Sequence, residues 1–364
     1  MMERMDIIVE EYGLKLGKTS ERLCIRRGEE VIFEKPLTHI RSIMLYSRGI
    51  SLSTDLIASC ARYQIPVSIC EREGSPLARV VIPSVEGEAK TRRMQLEISR
   101  DGDRGFILAR QLVAEKCRGQ LRMMRYLERR VSGNVMLYRE DMERLTRHGK
   151  RVVSVECWGK DHLDEALDRL MGHEGMAARA YWSAWGSTLG VQSWQGRTKR
   201  GATDSINMAL NYGYAILREQ VWGMIERAHL DAYSGVLHRD RGGRPGLVLD
   251  VMEPWRILVE DAVGSMARRS KSVWMEEGEL STSRRREIAD SVLGRLNSPA
   301  SFGKRRARVA ACMQQSVREV ARYIRGEVET PRLYRWDVRG PKEPVGDGEL
   351  DELERLFCRT GQKR

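Results

Sequence analysis

A histidine and two acids lie close together in the segment GVLHRDRGGRPGLVLDVMEPWR, which spans residues 235–256. His238 ends a short apolar run, and Asp250 and Glu253 follow a second apolar run after a turn rich in glycine and arginine. If a helix begins at Asp250, the two acids share one of its faces because they lie three positions apart. Carboxylate oxygens and one imidazole nitrogen suit a hard divalent cation such as Mn²⁺ or Mg²⁺. The spacing therefore favours a metal site.

The same three residues also have ordinary structural explanations. An Asp followed three positions later by a Glu, ahead of an apolar run, is the pattern of a capping box, in which both side chains bind free backbone N–H groups at the start of a helix. A single histidine such as His238 is more often a hydrogen-bonded residue of the core. The local pattern alone supports the helix cap and the metal site equally.

A third acid, Glu174, begins the segment EGMAARAYWSAWG after His173. In a helix, Glu174 lies at the head of an apolar stripe, and a carboxylate at such a position is costly unless it is paired or bound to a metal. The members of the stripe are Ala177, Ala178, Tyr181, Trp182 and Trp185. A salt bridge to an arginine, or a favourable position in the first turn of a helix, would explain Glu174 as well. The zinc-protease pattern HExxH is excluded, because Ala177 stands where its second histidine is needed.

The composition indicates a basic intracellular protein. The 364 residues include 63 Lys and Arg against 51 Asp and Glu, a formal charge of +12 that is typical of a polyanion-binding protein. The 7 cysteines are scattered and form no CxxC pair, which argues against a disulfide framework and a structural zinc site. The N-terminus lacks the apolar core of a signal peptide, and no run reaches the roughly 18 apolar residues of a membrane span. We therefore expect a cytoplasmic protein without membrane association.

The spacing of apolar residues changes once along the chain, from strand-like to helical. Up to about residue 83, short β-branched runs such as DIIVEEYG alternate with turns, and STDLIASCARYQ is the one helical segment. From about residue 94, apolar residues recur every three or four positions. We therefore predict an α+β fold, with an N-terminal mostly-β domain followed by a larger all-α catalytic domain. The predicted boundaries are a β-rich domain at 1–85, a linker at 86–95, a helical domain at 96–328 and a flexible tail at 329–364.

One long helix of the second domain leads directly into the segment that carries His238. The sequence ATDSINMALNYGYAILREQVWGMIERAHL follows a possible cap at Thr203 and Asp204 and is apolar around most of its circumference, which predicts a buried helix. Asn207 and Tyr214 on this helix need polar partners. They are candidates to support the site, although hydrogen-bonded core residues are the more common case.

Basic residues are clustered at several places in the second domain. Arginine forks match phosphate oxygens, so these clusters are candidate DNA contacts, although any one of them can equally be a solvated surface. The candidates are Arg197, Lys199, Arg200, Arg256, Arg268, Arg269, Lys271, Lys304, Arg305 and Arg306. The last cluster is predicted to lie near the start of an amphipathic helix that runs to about Glu327.

Motifs along most of the chain resemble one known family. The order and spacing of EYGLKLGKTSERLCI, GISLSTDLIASCARYQIPVSI, HEGMAARAYW, RTKRGATDSINMALNYGYAIL, LDAYSGVLH and LVLDVMEPWR are similar to those of the CRISPR-associated endonuclease and integrase of spacer acquisition, CRISPR-associated protein one. The resemblance covers about residues 5–325. The family most often has Phe-Arg-Pro where this chain has Trp255, Arg256 and Ile257, and Gly where it has His229.

The resemblance implies a metal site and a reaction. Glu174, His238 and Glu253 would bind Mn²⁺ or Mg²⁺, with Asp250 as a fourth acid beside them. The implied reaction is attack by the 3′-hydroxyl of a prespacer DNA strand on a phosphodiester of a CRISPR array, with nuclease activity when water attacks instead. The implied partners are double-stranded DNA (prespacer and CRISPR repeat), a second copy bound through the β domain, and a small ferredoxin-like CRISPR-associated adaptation protein.

Two other functions use the same residues. A structure-specific DNA repair nuclease would employ the same ligands without a CRISPR array. In a non-catalytic DNA-binding scaffold, Glu174 would pair with an arginine, and Asp250 and Glu253 would only cap a helix. Alanine at Glu174 or His238 would then leave every activity unchanged.

Overall fold

A computed structural model of the chain describes residues 4–71, 76–80, 88–191, 194–199, 201–239, 243–269, 274–276, 278–302 and 305–335. The chain divides into two compact units, Met1–Val85 and Glu86–Arg364. Each unit is described by itself below.

The N-terminal unit is built from strands and one helix. Its described elements are β1 Met5–Val9, β2 Lys15–Thr19, β3 Arg22–Arg27, β4 Glu30–Pro36, β5 Ile40–Leu45, β6 Ser51–Leu52, α1 Thr54–Arg62, β7 Val67–Cys70 and β8 Pro76–Arg79. One sheet has the order β1-β5-β7-β8, in which β1 and β7 run parallel to β5 and β8 runs antiparallel to β7. The other has the order β4-β3-β2-β6, an antiparallel meander with β6 added parallel to β2.

Both sheets and α1 contribute to one apolar core. Leu16 and Leu23 come from one sheet, Ile43 comes from the other, and Leu56 comes from α1. Helix α1 begins where it does because the Ser53 hydroxyl accepts a hydrogen bond from the Leu56 amide at 3.2 Å. The alternation of apolar and polar residues in this part of the sequence therefore corresponds to strands with one buried face.

The C-terminal unit is mostly helical. Its described helices are α2 Glu88–Ile98, α3 Arg104–Leu127, α4 Val135–Ser154, α5 Leu163–Ser187, α6 Ser205–Glu226, α7 Gly246–Met252, α8 Arg256–Arg269, α9 Thr282–Asn297 and α10 Val309–Ile324. Helix α6 packs against α7, α8, α9 and α10 and is buried along nearly its whole length, as its apolar circumference predicts. Its N-cap is Asp204, whose carboxylate accepts a hydrogen bond from the Asn207 amide at 2.8 Å. The predicted α+β class is confirmed.

Among the described residues, two pairs of antiparallel strands interrupt the predicted all-helical domain. They are formed by β9 Met275–Glu276 with β10 Glu279–Leu280, and by β11 Pro299–Phe302 with β12 Arg305–Arg308. The last basic cluster was predicted to lie near the start of a helix, and its described residues, 305–308, lie directly before α10, which begins at Val309. They form a strand instead of a first helical turn, because their backbone donors and acceptors pair with β11.

The predicted linker at 86–95 is helical from Glu88 onwards. The segment is polar, but Gln95 is only 1% exposed and is fully used in packing. Its amide nitrogen donates to the carbonyl oxygens of Asp231 and Ser234, both at 2.8 Å, and its oxygen accepts from the Asp231 amide at 2.8 Å. A buried polar side chain with all its hydrogen bonds made can thus hold a helix that composition alone marks as a linker.

Helix α5 runs from Leu163 to Ser187 without a break. One buried stripe runs through the whole helix, and its members before and after Gly172 continue the same spacing: Leu163, Ala166, Leu167, Leu170, Ala177, Ala180, Tyr181, Ala184 and Trp185. Gly172 is tolerated inside this helix because packing outweighs the roughly 1 kcal/mol by which glycine disfavours a helix interior. Glu174 takes the position on the stripe between Leu170 and Ala177.

Part of the predicted flexible tail at 329–364 is packed against the helices. Tyr334 is only 5% exposed, and its amide donates to the Ser316 hydroxyl at 2.5 Å. The indole N–H of Trp255 donates to the Tyr334 carbonyl at 3.3 Å. These contacts order the first residues of the tail, whereas 336–364 lies outside the described residues.

Across the described part of the chain, no helix has both the length and the apolar character needed to cross a membrane.

Candidate metal centre

Asp250 lies inside α7, where its side chain organises the loop that precedes the helix. The residue is fully buried. One carboxylate oxygen accepts from the amides of Val236 and Leu237 at 2.6 and 2.9 Å, and the other accepts from the His238 amide at 2.9 Å. Three backbone donors on one carboxylate fix the loop to the helix. The capping interpretation of Asp250 is therefore wrong, because the helix begins at Gly246, four positions earlier.

Glycine is required at both ends of this arrangement. A Cβ on Gly235 would lie 2.7 Å from the Asp250 carboxylate, and a Cβ on Gly246 would lie 2.3 Å from the His238 carbonyl oxygen. Both separations are well inside van der Waals contact, so any side chain would separate the loop from the helix. The glycines of the GVLH and GRPG segments thus allow the loop to approach α7 closely.

Asp250 also fixes the ring of His238. The Nδ1 atom of His238 lies 2.7 Å from the Asp250 carboxylate, so the protonated Nδ1 donates to Asp250. The lone pair of the neutral imidazole is then on Nε2, which is the form that binds a metal. A carboxylate that orients a metal-binding histidine through its other nitrogen is a common arrangement in metal centres.

Glu174 and Glu253 converge on a single cation. Glu253 begins the short 3₁₀ turn Glu253–Trp255 between α7 and α8, and Glu174 comes from the middle of α5. The ammonium nitrogen of Lys116, on α3, lies 2.5 Å from Glu174 Oε1 and 2.6 Å from Glu253 Oε2. The other oxygen of Glu253 is 2.9 Å from the Arg256 guanidinium. Glu174 and Glu253, which follow Lys116 by 58 and 137 positions in the chain, therefore meet at its ammonium group.

The charges at this point hold Glu253 ionised. Burial alone would raise the pKa of the Glu253 carboxyl, but the positive charges of Arg256 and Lys116 outweigh it and hold that pKa well below its usual range. Burial would likewise lower the pKa of Lys116, but Glu253 and Glu174 raise it instead. The centre therefore contains an anionic carboxylate and a charged ammonium group at neutral pH.

A buried acid is hydrogen-bonded to two tyrosines, one of which contacts the arginine of the centre. The Glu260 carboxylate, on α8, accepts from the hydroxyl of Tyr214 at 2.7 Å and from the hydroxyl of Tyr181 at 2.5 Å. Burial raises the pKa of Glu260, although both tyrosine hydrogen bonds oppose that shift. The Arg256 guanidinium lies over the Tyr214 ring, 5.1 Å from its centre, which fixes the arginine that holds Glu253. Tyr214, predicted to support the site, thus lies against Arg256.

Asn207, the other predicted supporting residue, holds the basic loop 194–199. Its amide donates to the Gly196 carbonyl at 2.8 Å, and its oxygen accepts from the Thr198 amide at 2.9 Å. The guanidinium of Arg197 donates to Asn207 and Asn211 at 2.9 and 2.6 Å and lies against the ring of Tyr214. Arg197 is therefore largely occupied within the fold.

The sequence was compared with known families and proteins. The family model described as CRISPR associated protein Cas1 matches residues 7–286. The chain belongs to the Cas1 family. The CRISPR-associated endonuclease Cas1 1 of Pyrobaculum aerophilum is 31% identical over 300 residues, which are 81% of this chain and 92% of that protein. This result confirms the family that the motifs predicted.

Solved structures share the fold of this Cas1-family chain. A casposase bound to integration product has a TM-score of 0.75 at 20% identity and covers 98% of this chain and 100% of its own. A Cas6-RT-Cas1–Cas2 complex has a TM-score of 0.73 at 17% identity, with 93% of this chain and 36% of that chain covered. At such identities these likenesses concern the fold.

The donor atoms of Glu174, Glu253 and His238 are of the types that a divalent cation binds, but Lys116 lies between the two acids in this structure. Within the described ranges, no group of three or more His, Cys, Asp or Glu side chains is arranged to hold a metal ion. Two carboxylate oxygens and an oriented imidazole are a donor set suited to Mn²⁺ or Mg²⁺.

The predicted DNA-contact residues differ in their surroundings. Burial lowers the pKa of Lys199, and the charges of Arg256 and Lys116 lower it further, so Lys199 lies within electrostatic range of the centre. Arg268 and Arg269 donate to Ser265 at the end of α8. Arg306 is exposed on β12. Arg200, Lys271, Lys304 and the side chain of Arg305 lie outside the described residues.

Sequence reasoning missed Lys116 and Glu260. Both are charged residues on helices whose other members are largely buried, α3 and α8. A charge on such a helix requires a partner, and that rule was applied to Glu174 alone. Applied to every helix, it would have marked Lys116 and Glu260 as part of a polar centre, without naming their partners.

Proposed function

We propose that this chain is a metal-dependent DNA endonuclease and integrase that inserts short DNA fragments into a CRISPR array. The observation that carries the proposal is the convergence of Glu174 and Glu253 on one cation position, beside a histidine whose ring is fixed by Asp250. Membership of the Cas1 family and the casposase-like fold support a spacer-integrating nuclease.

The proposed ligands are Glu174, Glu253 and Nε2 of His238, and the proposed metal is Mn²⁺ or Mg²⁺. When bound, such an ion polarises the phosphoryl oxygen and stabilises the attacking and leaving oxygens. Asp250 acts as a positioning residue, because its oxygens are engaged by backbone amides and by His238. Arg256 and Tyr214 position Glu253 in the same indirect way.

The reaction needs no covalent intermediate with the protein. The oxygen of a free DNA 3′-hydroxyl forms a bond to a phosphorus of the array, and the bond from that phosphorus to its own 3′-oxygen breaks. The attacking hydroxyl gives up its proton and the leaving 3′-oxygen takes up one, so the released strand ends in a 3′-hydroxyl. One phosphodiester is exchanged for another, so the step requires no external energy source. When water provides the attacking oxygen, the same step is hydrolysis, which gives endonuclease activity.

The proposed partners follow from charge and from family membership. The charge of +12 favours double-stranded DNA, both prespacer and repeat. Phosphate contacts are proposed for Lys199, Arg268, Arg269 and Arg306. A homodimer formed through the N-terminal unit and a small ferredoxin-like CRISPR-associated protein are also proposed, and the fold match to a Cas6-RT-Cas1–Cas2 complex supports assembly with another CRISPR-associated protein.

An integration assay tests the proposal. A short duplex with free 3′ ends is incubated with a supercoiled plasmid that carries a repeat, with and without the small partner, in Mn²⁺, Mg²⁺ or EDTA. Wild type is compared with Glu174→Ala, His238→Ala and Glu253→Ala. His173→Ala is the matched control, because His173 neighbours Glu174 in the chain but pairs with His148 at 3.4 Å. A duplex with 3′-dideoxy ends controls for the attacking hydroxyl.

We expect metal-dependent joining by wild type and His173→Ala that is lost in the other three variants while DNA binding is retained. Cleavage without joining would favour the repair nuclease. DNA binding without either reaction in both metals would favour the non-catalytic scaffold.

A further inference from the structure

Lys116 lies where a metal ligated by both acids must lie. Its ammonium nitrogen contacts one oxygen of Glu174 and one of Glu253, at 2.5 and 2.6 Å, and its side chain is 12% exposed. A metal ion that binds the same two oxygens would lie about 2 Å from each. The ammonium nitrogen and that ion cannot both lie between the two carboxylates. Metal binding by this pair therefore requires Lys116 to leave.

Of the two cations that neutralise Glu253, Lys116 is held by carboxylates alone in the described contacts, whereas Arg256 has a further partner. Arg256 binds the other oxygen of Glu253 and also lies over the Tyr214 ring, so it is held from two sides. The contacts of Lys116 described by the structure are with the two carboxylates. Its ammonium is a compact charge on a flexible four-carbon stem, which can turn away while the backbone of α3 stays in place.

Charge balance indicates what draws Lys116 away. Two carboxylates and two cations, Lys116 and Arg256, balance in the structure, so a divalent ion would add two positive charges at a partly buried position. Lys199 lies within electrostatic range and adds to the repulsion. A DNA phosphate beside the centre offsets this excess and gives the ammonium of Lys116 a new anionic partner.

We propose that Lys116 is an internal competitor of the catalytic metal, displaced when a DNA phosphate arrives, so that metal and DNA bind cooperatively. This inference rests on the proposed function, since it takes Glu174 and Glu253 as metal ligands. Such coupling is reciprocal: DNA tightens metal binding by the factor by which the metal tightens DNA binding. The competitor would keep the centre from binding metal before a substrate is present.

The test is a titration of the full chain with Mn²⁺, in which free Mn²⁺ is measured by its electron paramagnetic resonance signal. Each protein is titrated alone and with a short duplex that has 3′-dideoxy ends, which cannot be joined. In wild type we expect the duplex to tighten Mn²⁺ binding by a factor within the roughly 5- to 150-fold range typical of coupled sites. In Lys116→Met we expect tighter binding without DNA, by about the same factor, and little further change with DNA.

Three variants serve as controls. Lys116→Arg retains a cation between the carboxylates and should bind Mn²⁺ as weakly as wild type. Lys18→Met removes a lysine that pairs with Glu21 at 2.7 Å in the N-terminal unit, and it should behave as wild type. Lys116→Gln repeats the neutral substitution with a polar end, in case methionine destabilises the helix, and thermal unfolding establishes that each protein is folded.

The inference is overturned if Lys116→Met and Lys116→Gln bind Mn²⁺ no more tightly than wild type, or if DNA tightens their binding as much as it tightens that of wild type. Either result leaves the proposed function standing, provided that wild type binds Mn²⁺ and joins strands. If Glu174→Gln binds Mn²⁺ as wild type does, the ligand assignment fails, and with it both the proposed function of the centre and the role of Lys116.

Discussion

The two halves of the centre are held in place by different kinds of contact. On one side, three backbone amides and the His238 ring bind the Asp250 carboxylate, in a loop packed against α7 without room for side chains at Gly235 and Gly246. On the other side, Glu174 and Glu253 are held by the charged ends of Lys116 and Arg256. Backbone contacts cannot rearrange without unfolding the loop, whereas ion pairs between side chains can exchange partners.

This difference suggests a division of roles within one centre. The proposed nitrogen ligand, His238, is fixed before any metal arrives, which would lower the cost of ordering it on binding. The proposed oxygen ligands are close together but neutralised, so under this proposal they accept a metal only as their cations rearrange. If the comparison is right, substitutions on the His238 side should affect stability most, and substitutions on the Glu174 side should affect activity most.

The largest effect on stability is expected for Asp250→Ala. It leaves three buried backbone donors and the His238 ring without their acceptor, and each unsatisfied buried donor costs about 1–3 kcal/mol. We expect the free energy of unfolding, measured by urea denaturation, to fall by at least about 3 kcal/mol. The matched control is Asp204→Ala, which removes a helix cap and should cost about 1 kcal/mol. Equal losses in the two variants would remove the distinction between the halves.

Glu174→Gln should have a small effect on stability and a large effect on strand joining. Its side chain is 25% exposed, and Lys116 keeps Glu253 as a partner in the variant, so the free energy of unfolding should change by less than about 1 kcal/mol. Strand joining should fall by more than the roughly 10- to 100-fold that loss of an outer partner of a metal ligand typically costs. Glu165→Gln, on the same helix and 73% exposed, is the control and should retain activity. A Glu174→Gln protein that is strongly destabilised or fully active would contradict the comparison.

The smallest effect concerns Glu260, which supports the Arg256 side of the centre. Burial raises its pKa above the usual value of 4.5, so the folded chain holds this proton more tightly than the unfolded chain does. The stability of wild type should therefore fall as the pH rises from about 4.5 through the folded-state pKa, relative to Glu260→Gln, which has no such proton. For one proton the slope is at most about 1.4 kcal/mol per pH unit.

Urea denaturation of wild type and Glu260→Gln at a series of pH values measures this difference. The stability of the variant minus that of wild type should increase with pH. A difference that stays constant or decreases would show that the surroundings of the Glu260 carboxyl do not raise its pKa.

The fold could largely be read from the sequence, because its main elements follow local patterns. The alternation of apolar and polar residues predicted the strands. Helical patterns in the sequence predicted α1 and α6, the latter with its cap at Asp204. The errors fall where distant partners decide the structure. Helix α2 depends on Gln95 binding the backbone near residue 231, and the basic strand β12 depends on its pairing with β11.

The candidate site was predictable in its members but not in its arrangement. Spacing and family resemblance indicated Glu174, His238, Asp250 and Glu253. Neither could show that Asp250 faces the loop before its helix, or that Lys116 lies between two acids contributed by other elements. Such contacts join residues that are far apart in the chain, so no local period or motif contains them.

The most direct test of the ligand set uses Mn²⁺ bound to the chain labelled with ¹⁵N-histidine, in the presence of DNA. Electron spin echo modulation detects a nitrogen coordinated directly to Mn²⁺. Coordination by Nε2 of His238 predicts one histidine nitrogen in wild type and in His173→Gln, and none in His238→Gln. A signal that persists in His238→Gln, or no histidine nitrogen in wild type that binds Mn²⁺, would contradict the assignment of this centre.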